Sequence, residues 1–168
     1  MVSFTPYHAW GPDKGTRTCP ICKYGWYHGI LYFVGDSPNW ADIKKWLAFL
    51  ESESIKREKY LKVYFIYGNA KNYNKQARET ELANLGRDLQ LQKVALTFVP
   101  SLSDRGSEIH LNKVDQKVGN TFILYRRNTV FANFIDLPAT ASNFSMMSDL
   151  LDKNKNEYFD LPQPAHQN

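Results

Sequence analysis

Three short runs are apolar at nearly every position: Gly29-Ile30-Leu31-Tyr32-Phe33-Val34, Leu61-Lys62-Val63-Tyr64-Phe65-Ile66-Tyr67 and Val94-Ala95-Leu96-Thr97-Phe98-Val99. Runs of this length and character have no polar face to turn to water, so they are expected as strands covered on both sides. Between the first two, Trp40, Ile43, Leu47 and Leu50 recur at spacings of three and four, with Asp42, Lys44, Lys45 and Glu51 filling the opposite side. That period predicts an amphipathic helix. Leu82, Leu85 and Leu89 predict a second one between about Asn74 and Gln90. Alternating strands and helices require parallel strands joined by helical crossovers, which makes the chain an α/β protein.

Local signals refine the order. Ser37-Pro38-Asn39-Trp40 predicts the first helix start, with Ser37 as cap and Pro38 in the first turn, where its missing N–H is harmless. Pro100 stops the third strand, and a short helical stretch is expected around Ile109 to Val114. Thr121 to Tyr125 and Thr129 to Phe134 flank Arg126-Arg127-Asn128, a separation short enough to demand an antiparallel hairpin. Phe144, Met147 and Leu151 mark a last helix, and residues 161–168, with Pro162 and Pro164, read as a flexible tail. The predicted order is β-α-β-α-β-α-β-β-α, a mixed sheet of four or five strands between helices. Residues 29–160 form the domain, and residues 1–28 form an irregular lead-in of turns.

Composition narrows the function classes. The 168 residues suit one core, and 43% hydrophobic with 23% charged residues is ordinary for a folded chain. The net charge of +4 arises from 21 basic and 17 acidic residues that alternate in sign, without the basic stripe expected of a nucleic-acid or acidic-membrane binder. No apolar run reaches the roughly 18 to 20 residues needed to span a bilayer. Residues 1–6 lack the features of a signal peptide, which predicts the cytoplasm for a full native chain and an exported or periplasmic protein if a leader has been removed. Neither a phosphate-binding loop, a nucleophile elbow nor a paired-carboxylate motif is present. Asp104-Arg105-Gly106 and Arg126-Arg127 read as solvated turns, and Met146 and Met147 as part of a helix with a core face.

The lead-in carries both cysteines, in Cys19-Pro20-Ile21-Cys22-Lys23-Tyr24-Gly25. Two-residue spacing permits cycling between dithiol and disulfide, and Lys23 and Arg17 would favour a thiolate. The same motif is similar to one zinc knuckle of the rubredoxin or zinc-ribbon type. A closed zinc site takes four ligands, so His8 and His28, or His110, would have to complete the set. A third reading is that the pair only shapes the loop. Trp10, Trp26 and Tyr27 either pack the lead-in onto the domain or offer an apolar docking surface beside the pair.

The element order from Gly29 to about Asp152 resembles the thioredoxin-like superfamily, in its redoxin branch of peroxiredoxin-like and thiol-disulfide oxidoreductase proteins. The residues at 30–34 are similar to the family's central strand, those at 61–68 to the next parallel strand, and Val118-Gly119-Asn120-Thr121-Phe122-Ile123-Leu124 to the segment entering the hairpin. The resemblance implies a thiol-disulfide oxidoreductase without cofactor, acting on protein or small-molecule disulfides with a thiol electron donor, monomeric or weakly associating. It implies Cys19 as attacker and Cys22 as resolver. Two features depart from the family pattern. Its reactive cysteine follows the central strand, where this chain has Gly35-Asp36-Ser37-Pro38-Asn39-Trp40, and its cis-proline position holds Gly119-Asn120. A binding module without catalysis therefore stays open beside the redox and zinc readings. The seven residues between Cys22 and Ile30 could span roughly 20 Å extended, enough either to leave the pair at the strand's entry or to carry it back along the strand.

Overall fold

A computed structural model describes residues 1–153, so the expected tail at 161–168 lies outside the described residues. The elements run β1 (Tyr7–Trp10), α1 (Pro20–Tyr24), β2 (His28–Val34), α2 (Trp40–Lys56), β3 (Leu61–Tyr67), α3 (Lys75–Asp88), β4 (Ala95–Phe98), a 3₁₀ turn (Ile109–Asn112), β5 (Thr121–Arg126), β6 (Thr129–Ile135) and α4 (Ala141–Lys153). One mixed sheet has the order β1-β4-β3-β2-β5-β6. β2, β3 and β4 are parallel, while β5 and β6 form the expected antiparallel hairpin against β2.

The period-two alternation inside each apolar run separates two cores. Ile30, Tyr32 and Val34 of β2 face one way and join Trp46 and Leu47 of α2, Leu82 and Leu85 of α3, and Met147 and Leu151 of α4. Leu31 and Phe33 face the other way and meet Phe4, Leu102 and Ile109. All three long helices thus lie on one face, and the second is covered by the N-terminal segment, α1 and the loop after β4. Two consecutive right-handed crossovers moving in the same direction, β2 to β3 to β4, put α2 and α3 on the same side. Within the helical core, Trp46 packs against Phe122, and its Nε1 donates to the Leu137 carbonyl at 3.1 Å.

Three local outcomes differ from the sequence reading. The sheet has six strands, because residues 7–10 of the lead-in pair antiparallel with β4, as in His8↔Thr97. Tyr-His-Ala-Trp is too short to show a period, so tertiary pairing decides it. Gly11 then turns away at φ +107, where an added Cβ would lie 3.0 Å from Ala95 Cα. Trp10 packs on Gly86 of α3, where a Cβ would come within 2.4 Å of its ring, and its Nε1 donates to the Leu91 carbonyl at 2.7 Å. The cap of α2 is Asn39 rather than Ser37, with its side chain accepting from the Asp42 N–H at 3.2 Å, so Pro38 precedes the helix. The stretch near Ile109 is a single 3₁₀ turn. Among the described residues no helix is long and apolar enough to cross a membrane.

Candidate functional site

The cysteine turn is built from local signals that agree. Cys19 is the N-cap of α1 and Pro20 fills the first turn. The Cys19 Sγ accepts the Cys22 N–H at 3.1 Å, and the Gly25 N–H closes the helix onto the Ile21 carbonyl at 2.9 Å. This one turn brings the two Cα atoms to 5.3 Å, and the sulfurs are joined in a disulfide. Ile21 and Tyr24 pack on the loop-covered face of the sheet. Cys19 is partly buried, whereas Cys22 is exposed. Upstream, His8 Nε2 bonds the Thr18 carbonyl at 2.8 Å and holds the residue before Cys19 in place.

Both basic neighbours of the pair have partners of their own. Lys23 Nζ pairs with Asp13 at 2.8 Å; burial alone would lower its pKa, but this hydrogen bond, with the charges of Tyr24 and Asp13, raises it. Arg17 lies over the Tyr7 ring at 4.7 Å and donates to Thr5 Oγ1 at 3.3 Å. Of the three aromatics, Trp10 and Tyr27 pack into the domain, while Trp26 is 63% exposed.

The chain does not double back along β2. The Asn128 N–H, in the β5–β6 turn, donates to the Gly25 carbonyl at 2.6 Å, and His28, where β2 begins, pairs with Arg126 just ahead of that turn. The pair therefore sits at the entry edge of the sheet, about 20 Å along β2 from its other end. At that exit edge, Asp36 is held through both backbone and side chain: its N–H donates to the Gln116 carbonyl at 2.8 Å, and its Oδ1 accepts from the Ala70 N–H at 3.0 Å. Gly119 donates to Asp136 Oδ1 at 2.6 Å, and the Asn120 side chain makes two bonds to the Leu137 backbone, at 2.8 and 2.9 Å. Each of the two stretches, residues 35–40 and Gly119-Asn120, is thus held by partners of its own.

The zinc set of Cys19, Cys22, His8 and His28 does not converge. The sulfurs bond each other, His8 stands edge-on to Tyr64 on the loop-covered face, and His28 lies between Tyr60 and Phe131 on the helical face. Burial lowers the pKa of both histidines, that of His28 to about 4 with Arg57 and Arg126 contributing. His110, on the 3₁₀ turn, does not complete the set either: among the described residues no three His, Cys, Asp or Glu side chains are placed to hold a metal ion. The alternating hydrophobic pattern of β2 could have shown this, since His28 shares the face of Ile30 and Tyr32.

No protein-family model matches the chain, and no curated protein matches it in sequence. Solved structures do. The thiol:disulfide interchange protein DsbE from Chlorobium tepidum aligns over 90% of this chain and 94% of its own, with TM-score 0.60 and 14% identity. Yeast Sco1 with copper bound aligns over 93% and 94%, with TM-score 0.58 and 12% identity. The bacterioferritin comigratory protein of Xanthomonas campestris aligns over 90% of each chain, with TM-score 0.58 and 13% identity. The fold is thioredoxin-like.

Proposed function

We propose that this thioredoxin-like domain exchanges thiols and disulfides through Cys19 and Cys22, at the entry edge of its sheet. The observation that carries the reading is a disulfide across a one-turn helix in which Cys22 is exposed and the Cys19 sulfur receives a backbone N–H. An incoming thiolate attacks the exposed Cys22 Sγ. A new S–S bond forms there, the Cys19–Cys22 bond breaks, and Cys19 leaves as a thiolate that the Cys22 N–H stabilises. A second thiolate of the same dithiol substrate attacks the mixed disulfide, releasing substrate disulfide and Cys22 thiolate. In reverse, Cys22 attacks a substrate disulfide and Cys19 resolves. These roles invert the order implied by the family, because here exposure favours the second cysteine. The fold similarity to a thiol:disulfide interchange protein supports the chemistry.

Trapping tests the assignment. Cys19→Ser should accumulate a stable mixed disulfide at Cys22 with a disulfide substrate, and Cys22→Ser should lose exchange by at least about a hundredfold, since only the less exposed cysteine is then left and no partner completes the cycle. Exchange that survives in Cys22→Ser removes the reading.

A second reading, a structural disulfide, is favoured by the packing of Ile21 and by the Gly25–Asn128 bond. Closing so short a loop limits the unfolded chain by only about 2 kcal/mol. Reduction is therefore expected to lower stability by about that much while the fold persists, measured by urea unfolding with and without reductant. A much larger loss would make the bond a staple.

A further inference from the structure

Three of the four tryptophans pack into the domain: Trp46 is fully buried, Trp10 lies on Gly86, and Trp40 stands edge-on to Tyr67. Trp26 is 63% exposed, more than any other large apolar side chain among the described residues. Tryptophan has a large apolar area to shield from water, and at protein surfaces it is concentrated where partners are held.

The path of α1 sets its position. The Lys23 N–H donates to the Cys19 carbonyl at 3.2 Å and the Gly25 N–H to the Ile21 carbonyl at 2.9 Å, and Gly25 keeps helical angles, φ −59 and ψ −28. The helical path therefore runs on to Trp26, four residues after Cys22. Residues so spaced lie on one side, with Cβ atoms about 5 to 6 Å apart. Within residues 19–28 only Cys22 and Trp26 are exposed, while Ile21 and Tyr24 pack on the sheet.

A substrate joined to Cys22 is held close to this ring. In a disulfide the two Cα atoms stand about 5.5 to 6 Å apart, and the residues beside the substrate's cysteine lie about 3.8 Å further along its chain. A flanking side chain can thus cross to Trp26 while the sulfurs are bonded. Lys23, the one charged residue between Cys22 and Trp26 in sequence, is neutralised by Asp13 at 2.8 Å, so apolar contact rather than charge distinguishes one flank from another.

We propose that Trp26 docks the residue beside the substrate's cysteine, so that the pair exchanges with peptide segments whose cysteine has an apolar neighbour in preference to those with hydrophilic flanks. This rests on the exchange reading for Cys19 and Cys22 and adds its substrate class.

The test compares two short peptides on the reduced protein, one with leucine and phenylalanine beside its cysteine and one with serine and asparagine, each as its mixed disulfide with thionitrobenzoate. Attack by the Cys22 thiolate forms the Cys22–peptide disulfide and releases thionitrobenzoate, whose absorbance gives the rate, taken relative to that with free glutathione. The apolar peptide is expected to react about tenfold faster, the effect of shielding roughly 60 Å² of apolar surface. Trp26→Ala should bring the ratio of the two rates to about one, and Trp26→Phe should keep most of it; peak dispersion reports the fold of each variant. In the adduct trapped on Cys19→Ser, the Trp26 indole N–H signal, identified by its absence from Trp26→Phe, should shift with the apolar peptide and not with the polar one. Equal rates for the two peptides, or a ratio that Trp26→Ala leaves unchanged, overturn the docking while exchange at Cys22 stands. No release from either peptide overturns both.

Discussion

Replacing Glu51 by alanine is expected to cost about 3 to 5 kcal/mol, a large share of a typical domain's stability. Glu51 lies on the polar side of the helical pattern, yet it is only 7% exposed. Its carboxylate accepts the Gln92 N–H at 2.6 Å, the Lys93 N–H at 2.8 and 3.1 Å and the Val94 N–H at 2.9 Å, joining α2 to the chain entering β4. Alanine would leave three donors without their acceptor, at about 1 to 3 kcal/mol for each that stays buried. Among the described residues β1 pairs with no strand of the sheet but β4. Hydrogen exchange should therefore show loss of protection first at Tyr7–Trp10 and Ala95–Phe98. Urea unfolding of Glu51→Ala that differs from the parent by less than 1 kcal/mol would contradict this account.

Acid is expected to weaken the fold through His28. Its ring is 0% exposed, and burial, with the charges of Arg57 and Arg126, lowers its pKa from 6.5 to about 4. The unfolded chain thus takes up a proton at higher pH than the folded one. Stability from this group is complete above about pH 6.5 and is lost as pH falls from there to about 4. The difference of about 2.5 units corresponds to about 3 kcal/mol. His8, also lowered by burial, acts in the same direction. Urea midpoints at pH 7, 5.5 and 4 measure the slope, and His28→Phe should flatten it. A midpoint independent of pH across this window would rule the linkage out.

The Glu53–Arg57 pair shows why such residues are hard to read in advance. A carboxylate four residues before an arginine on a helix suggests an exposed ion pair. Both side chains are buried, and Arg57 also reaches Asp152 and the Ser148 carbonyl of α4, so the pair ties α2 to the last helix. Helical period identifies the polar side of a helix. It does not show which polar residues another element will cover.

The site divides in the same way. Two-residue spacing is a local property, so a disulfide-capable pair was legible at Cys19 and Cys22, whereas the lead-in read as turns and the helix turn at Pro20–Tyr24 was not. Nor was the position of the pair, because seven residues could run either way, and the bond from Asn128 to Gly25 decides between them. The pairing of β1 with β4 and the separation of His8 from His28 across the sheet also depend on contacts between residues far apart in sequence.

The sequence by itself determined the alternating strands and helices, the closing hairpin and the chemistry available to Cys19 and Cys22. Those features follow from side-chain period, turn residues and local spacing, which are properties of neighbouring residues. Tertiary structure alone decided the sixth strand, the placing of the disulfide at the entry edge, and the exposure of Cys22 rather than Cys19. Each depends on which distant segments exclude water from one another, and that is settled only when the whole chain packs.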